Sequence, residues 1–199
     1  MSDSRSSDDG DGDPDRLRWR VVTRTPVHDY RIFRSLAVRA AHPRTGDERS
    51  FTVLDTPDWV NVVALTPADE VVLIRQYRHG ADRVHVEVPG GMVDPGEDHG
   101  AAARRELAEE TGYTADSWRH VGTVEPNPAI HGNRLYTWLA LDAIPTLVCR
   151  PDPGEVITTF TVPLAEVTAM LRDGRIDHAL VITAFAHLAL AAADLRRPQ

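Results

Sequence analysis

Glu106, Glu109 and Glu110 stand three and four residues apart within GGMVDPGEDHGAAARRELAEETGY, residues 90–113. On a helix those steps return to one side, so the three carboxylates fall within about 100° of arc. Close like charges destabilise a helix, and Asp94, Glu97 and Asp98 add to them, with Arg104 and Arg105 as the opposing charges. Two outcomes fit such a pattern. One is an acidic face left in water, which is common on helices. The other is a hard divalent cation held by oxygen ligands, which turns the repulsion into binding. Magnesium keeps several waters that a phosphate oxygen can replace.

The elements that must position these residues are legible from the pattern around them. Glu97 and Asp98 start the helix and Gly112 stops it, while Gly100, Ala103 and Leu107 form a buried stripe of small and apolar residues. Upstream, RWRVVTRT (18–25), DYRIFRSLAVRA (29–40) and RSFTVL (49–54) read as strands of an N-terminal antiparallel layer. WVNVVALT (59–66) and EVVLIRQYR (70–78) form a hairpin through PADE, and RVHVEV (83–88) leads into the glycines. HVGTVE (120–125), RLYTWLALD (134–142) and VITTFTV (156–162) are later strands. Two more helices follow, PLAEVTAMLRDG (163–174) and an apolar, largely buried HALVITAFAHLALAAADL (178–195).

Composition excludes several chemistries. The chain of 199 residues carries a net charge of −8 and is 42% hydrophobic, enough for one domain with a core. All 22 basic residues are arginine, so a lysine Schiff base and a lysine-dependent phosphate loop are ruled out. The acidic balance argues against nucleic acid as a partner. No apolar run reaches the roughly 18 residues of a membrane helix, and the polar, acidic N-terminus is unlike a signal peptide. One cysteine, Cys149, allows no intrachain disulfide, is expected as a small buried hydrophobe, and suits a cytoplasmic location. Residues 1–16 hold six Asp and two Arg and are expected to be a disordered acidic tail. Their DGDGDPD run is no calcium loop: counted from Asp9, Pro14 stands where glycine is needed and Arg20 where a glutamate belongs.

Taken whole, the stretch is Gly91, five residues, Glu97, seven residues, Arg105-Glu106-Leu107, one residue, Glu109-Glu110, one residue, Gly112-Tyr113. This resembles the Nudix box at every fixed polar and glycine position; only Tyr113, where an aliphatic residue is usual, departs. The resemblance implies an α/β class fold, the Nudix-type α/β/α sandwich with a curved mixed sheet, over residues 57–199, preceded by an extra N-terminal antiparallel β layer over 17–56. It implies Mg2+, with Mn2+ as a substitute, bound by Glu106, Glu110 and the Gly90 carbonyl, and by Glu109 in a bridging or further role. Glu97 and Arg105 resemble the pair that ties loop to helix and orients a carboxylate. The implied chemistry is attack of water on a phosphorus of a diphosphate linked to another moiety. Related enzymes take a general base from a loop after the box, and here Glu155, with Asp152 nearby, lies in such a loop; His131 is a second candidate for base or substrate contact.

The arrangement is most similar to the ADP-ribose pyrophosphatase branch of the family. RQYR supplies Arg75 and Arg78, and Pro128 lies 16 residues beyond Gly112. A planar guanidinium such as that of Arg78 can stack on a base or pair with phosphate. The resemblance implies a small-molecule nucleoside diphosphate derivative as substrate, ADP-ribose above all, and a homodimer formed through the N-terminal strands. Another nucleotide sugar or dinucleotide is the alternative substrate. A family member that binds without cleaving would have no need to keep Arg105 and the three glutamates together, which favours an enzyme over a sensor.

Overall fold

The computed structural model describes residues 13–195, so most of the expected acidic tail lies outside the described residues. Its last part is ordered locally: the Asp13 carboxylate accepts the Asp15 N–H at 3.0 Å and caps a short 3-10 turn over Pro14–Leu17. The chain divides into two compact units, residues 1–56 with 129–131, and residues 57–128 with 132–199.

In the first unit β1 (Arg20–Asp29), β2 (Arg34–Ala41) and β3 (Glu48–Asp55) form an antiparallel sheet in that order. The run 29–40, expected as one strand, is interrupted. Arg31 has a φ of 73°, its N–H donates to the Asp29 carboxylate at 2.7 Å, and the Tyr30 N–H donates to the Phe33 carbonyl. A short polar side chain bonding two residues ahead is a turn former, and here it outcompetes the alternating strand pattern. Exposed ion pairs, Arg34 to Asp55 and Arg39 to Glu48, join β2 to β3 and are worth little each.

The second unit contains β4 (Trp59–Leu65), β5 (Glu70–Arg78), β6 (Arg83–Glu87), β7 (Gly90–Met92), α1 (His99–Thr111), β8 (Tyr113–Thr114), β9 (Ser117–Val124), β10 (Leu135–Leu141), β11 (Ile144–Pro145), β12 (Ile157–Pro163), α2 (Leu164–Arg172) and α3 (Ala179–Leu195). The main sheet runs β12-β5-β4-β10-β9, with β10 parallel to β4 and its other pairings antiparallel. The hairpin partners β4 and β5 pair only at Ala64 with Val72 and Leu65 with Val71, then part. Into the opening go β6, paired with β5, and β7, paired with β4 through Asn61 and Gly90. That splay puts Gly90 inside the sheet, under α1.

The strands are β-branched and buried on both faces, which identifies them as central. On one face Ala102, Ala103 and Leu107 of α1 pack on Val60, Val62, Ala64, Val72 and Ala140. On the other, Val167 and Met170 of α2 and Val181, Ala184 and Phe185 of α3 pack on Val63, Val71, Leu73 and Leu139. The unit is therefore an α/β/α sandwich about a mixed sheet. Burying a side chain such as Leu107 contributes about 1.5–3 kcal/mol. The third helix is less enclosed than its apolar sequence suggests, because Ile182 and Leu190 on its far side are exposed.

Helix α1 carries the clustered glutamates, and both of its ends are locked. The Asp98 carboxylate accepts the N–H groups of Gly100 at 2.9 Å and Ala101 at 3.2 Å, satisfying two donors that the first turn leaves unpaired. Gly112 ends it at a φ of 73°, and a Cβ there would collide with the Leu147 carbonyl. Both strain and overlap oppose any side chain. Gly112→Ala is expected to lower unfolding free energy by about 1–3 kcal/mol, read from denaturant midpoints at constant m-value.

Candidate active site

The positive charge that Glu106 and Glu109 meet comes from their own helix. Arg105 reaches back over the β7–α1 loop and pairs twice with Glu97, through Nε to Oε1 at 3.0 Å and Nη2 to Oε2 at 3.0 Å. Its Nη1 donates to Glu106 at 2.8 Å and to Glu109 at 3.2 Å, and Nη2 also donates to the Met92 carbonyl at 3.0 Å. A guanidinium can serve four acceptors because its donors form a rigid planar fork. The loop is closed from its other side by Glu97, whose Oε2 accepts the Asp94 N–H at 3.0 Å. Hydrogen bonds from Arg105 hold the Glu97 carboxyl below its usual range. The expected Glu97–Arg105 pair is thus brought together, with the two glutamates gathered on the same arginine.

Glu110 differs. It is fully buried, one turn along from Glu106, and its Oε2 accepts the Gly90 N–H at 2.9 Å. Among the described residues no arginine pairs with it directly. Burial, with Glu106 and Glu155 as nearby negative charges, pushes its carboxyl up to about 8 against the hydrogen bond from Gly90 and the charge of Arg78. Burial also raises Glu106, which Arg105 only partly offsets. Gly91 makes room for this arrangement, since a Cβ there would overlap the Glu106 carboxylate. The bond recorded at Gly90 is from its N–H, an additional contact to the carbonyl ligation expected from sequence.

A second wall comes from β5 and β6. Arg78 binds Glu87 through two parallel bonds, Nε to Oε1 at 2.7 Å and Nη2 to Oε2 at 2.8 Å, and Glu87 is buried. Glu110 and Glu155 lie close enough to help hold the Arg78 guanidinium charged. Glu155, just before β12, accepts from Gln76 Nε2 at 3.3 Å, and its charge is felt at both Glu106 and Glu110. The Asp152 backbone carbonyl accepts the Glu155 N–H at 2.8 Å in the turn that presents it. Arg75 lies on the opposite face of β5, its guanidinium 3.8 Å from the centre of the Phe160 ring. Pro128 is exposed in the β9–β10 loop, and His131 forms a backbone bridge with Leu54 in the N-terminal unit.

Three residues beside these carboxylates escaped the sequence reading. Glu87 had a signal, a lone carboxylate in a buried apolar run, which demands a partner. Gln76 had none beyond its place between two arginines. Cys149, expected to be buried, is exposed, and its thiol donates to the Glu110 carbonyl at 3.0 Å and more loosely to that of Glu109. It caps the end of α1, joined there by the Arg150 N–H on Glu109 and the Thr159 hydroxyl on Glu110. The physical reason is that the last carbonyls of a helix lack intrahelical donors, and the loop supplies them.

Among the described residues no three His, Cys, Asp or Glu side chains form a ready-made ion cage. The donor chemistry nonetheless suits a hard cation: the buried Glu110 and the partly buried Glu106 stand on successive turns, both raised by burial, and Glu110 has no direct ion pair among the described residues. No described helix is long and apolar enough to cross a membrane.

An α/β/α sandwich with a carboxylate-bearing helix laid over a splayed sheet, and an arginine fan fixing its loop, is the setting in which the family match places a pyrophosphohydrolase site. The NUDIX domain model matches residues 56–185, well over half the chain, and the chain belongs to the Nudix family. It is 30% identical over 160 residues to the CMP-5'-(N-acetyl-N-hydroxy-3-aminopropyl)phosphonate hydrolase of Streptomyces rubellomurinus, covering 80% of this chain and 76% of that one. It is 27% identical over 139 residues to the ADP-ribose pyrophosphatase of Bacillus subtilis, 69% of this chain and 75% of that one. In structure it matches an ADP compounds hydrolase with a TM-score of 0.79 over 91% of this chain and 97% of the other at 23% identity, which establishes the shared fold.

The buried carboxyl of Glu110 predicts a pH dependence of stability in metal-free protein. Its folded value of about 8 exceeds the ordinary 4.5, so between those values the native state holds a proton that the unfolded chain has lost. This group's contribution is present in full below about pH 4.5 and is lost as pH rises toward 8. Denaturant midpoints measured from pH 5 to pH 8 should fall with pH, and Glu110→Gln, which cannot ionise, should flatten the slope; an unchanged slope would refute the assignment.

Proposed function

We propose that the chain hydrolyses the diphosphate of ADP-ribose, giving AMP and ribose 5-phosphate, with Mg2+ as the resident ion and Mn2+ as a substitute. The observation that carries this reading is the buried carboxylate of Glu110 beside Glu106, at the point where Gly90 enters the sheet and donates its N–H to that carboxylate. Glu106, Glu110 and the Gly90 carbonyl are the ligands in this reading, and Glu109 takes a bridging or further role. A bound divalent ion there would neutralise phosphate charge and acidify a water. Arg105 and Glu97 keep the loop and the glutamate side chains in one arrangement, so little reorganisation is needed when substrate arrives. Glu155 is the candidate base that takes the proton of the attacking water.

Arg78 addresses the phosphates or the end group, with Glu87 fixing the plane of its guanidinium. Pro128, in the β9–β10 loop, remains a secondary substrate contact in this reading; Arg75, on the opposite face of β5, is dropped from it, and His131 belongs to the N-terminal unit. The Bacillus subtilis relative and an Escherichia coli ADP compounds hydrolase, NudE, 28% identical over 116 residues, support an ADP-linked substrate. The Streptomyces relative, named for a CMP-linked phosphonate, favours as a second reading a cytidine conjugate. The homodimer, through the N-terminal sheet, is supported by the apolar side chains that sheet exposes, among them Val27 and Phe51.

Steady-state kinetics on ADP-ribose, GDP-mannose, UDP-glucose, a CMP conjugate, diadenosine polyphosphates and a triphosphate test the substrate. ADP-ribose is expected among the highest kcat/KM values, and a low rank rejects it. Glu110→Gln should lower magnesium-dependent kcat by about two orders of magnitude or more with the fold kept. Glu155→Gln should cost about 10²- to 10⁴-fold in kcat. Full turnover in either variant removes the corresponding role. Light scattering after size exclusion checks the dimer.

A further inference from the structure

Resting on the reading of Glu155 as the base, we infer that Gln76 is its positioning residue. Gln76 sits where β5 is flanked on both sides, opposite Ile157 of β12 and opposite His85 of β6. It is 8% exposed, and among the described residues its amide oxygen has no protein partner. Across the strand pair, His85 is equally buried: its Nδ1 lies 3.0 Å from Asp177, and its Nε2 has no protein partner either. A buried acceptor without a donor costs stability, and an apolar side chain of the same shape would avoid that cost. The amide is therefore explained by its other end, where Nε2–H donates to Glu155 Oε1 at 3.3 Å.

That bond selects one orientation of a carboxylate that otherwise stands half-exposed on a loop. With one Glu155 oxygen engaged by a neutral donor, the other is left to accept a proton. A neutral amide suits the task, because it neither competes for the proton nor neutralises the base as an arginine would. The flanking ladders make Gln76 a rigid platform: Ile157, two residues beyond Glu155, is its direct cross-strand partner. Arg78, two residues further on the same strand face, points the same way toward Glu87, so one strand positions both the base and the phosphate-directed arginine.

The test uses Gln76→Met, which keeps length and volume, assayed on ADP-ribose with Mg2+ alone and in the Glu155→Gln background. The expected result is a loss in kcat of about tenfold, KM within about twofold, and a melting temperature equal to or above the parent. In the Glu155→Gln background the same change should alter kcat by less than about twofold, because a group acting through Glu155 has nothing left to act on. Gln76→Asn, which keeps the amide but shortens its reach, should reproduce the kcat loss. Parent-like kcat in both variants overturns the inference, as does an equal loss with and without Glu155. Parent-like turnover in Glu155→Gln itself is a distinct result: it removes the base, and the positioning role falls with it.

Discussion

Arg105 is the interaction on which the site depends. Three carboxylates within two helical turns, with Glu97 folded back from the preceding loop, would repel one another without a cation among them. The fork of Arg105 spends its donors on Glu97, Glu106, Glu109 and the Met92 carbonyl. One residue thereby ties β7, the loop and α1 into a single body. Lysine, a compact charge with no planar fork, could not make this set of contacts. The ionic contacts are partly exposed, so their worth lies less in net stability than in holding the glutamates in one arrangement.

Glu110 is the counterpart, a carboxylate with which no arginine among the described residues pairs directly. Burying it against Gly90 costs stability, and the rise of its carboxyl to about 8 expresses that cost. A protein selected only for stability would place an apolar side chain there. One arginine shared among three carboxylates leaves negative charge over, and with Glu110 beside them that surplus is what a hard cation can neutralise. The splay of β4 from β5 makes the geometry possible: without β7 in the gap, Gly90 would not lie beneath α1. The same splay brings β6 alongside β5, and with it the Glu87 that clamps Arg78.

The sequence by itself determined the elements and the chemistry they carry. Glu106, Glu109 and Glu110 share a helix face because 3.6 residues make a turn, and Asp98 and Gly112 bound that helix because capping and left-handed backbone are local properties. The hairpin through PADE, the central strands and the pairing of Glu97 with Arg105 were legible for the same reason: each follows from neighbours in the chain or from a spaced motif. The break at Arg31 was missed because a hydrogen bond from the Arg31 N–H to the Asp29 carboxylate decided it against the strand pattern.

Tertiary structure decided what meets across the sheet. That Arg105 is a cationic partner shared by Glu106 and Glu109 depends on a side-chain path over the loop. The burial of Glu110 requires α1 to lie on β4 and β7, and the place of Gln76 beside Glu155 requires the register of β12 on β5, 79 residues apart in sequence. Cys149 was expected inside on composition, yet it lies at the surface because the carbonyls ending α1 need donors there. Helix faces and caps are set by covalent proximity; burial, charge partners and orphaned acceptors depend on which distant segments fold together, and no local pattern encodes that.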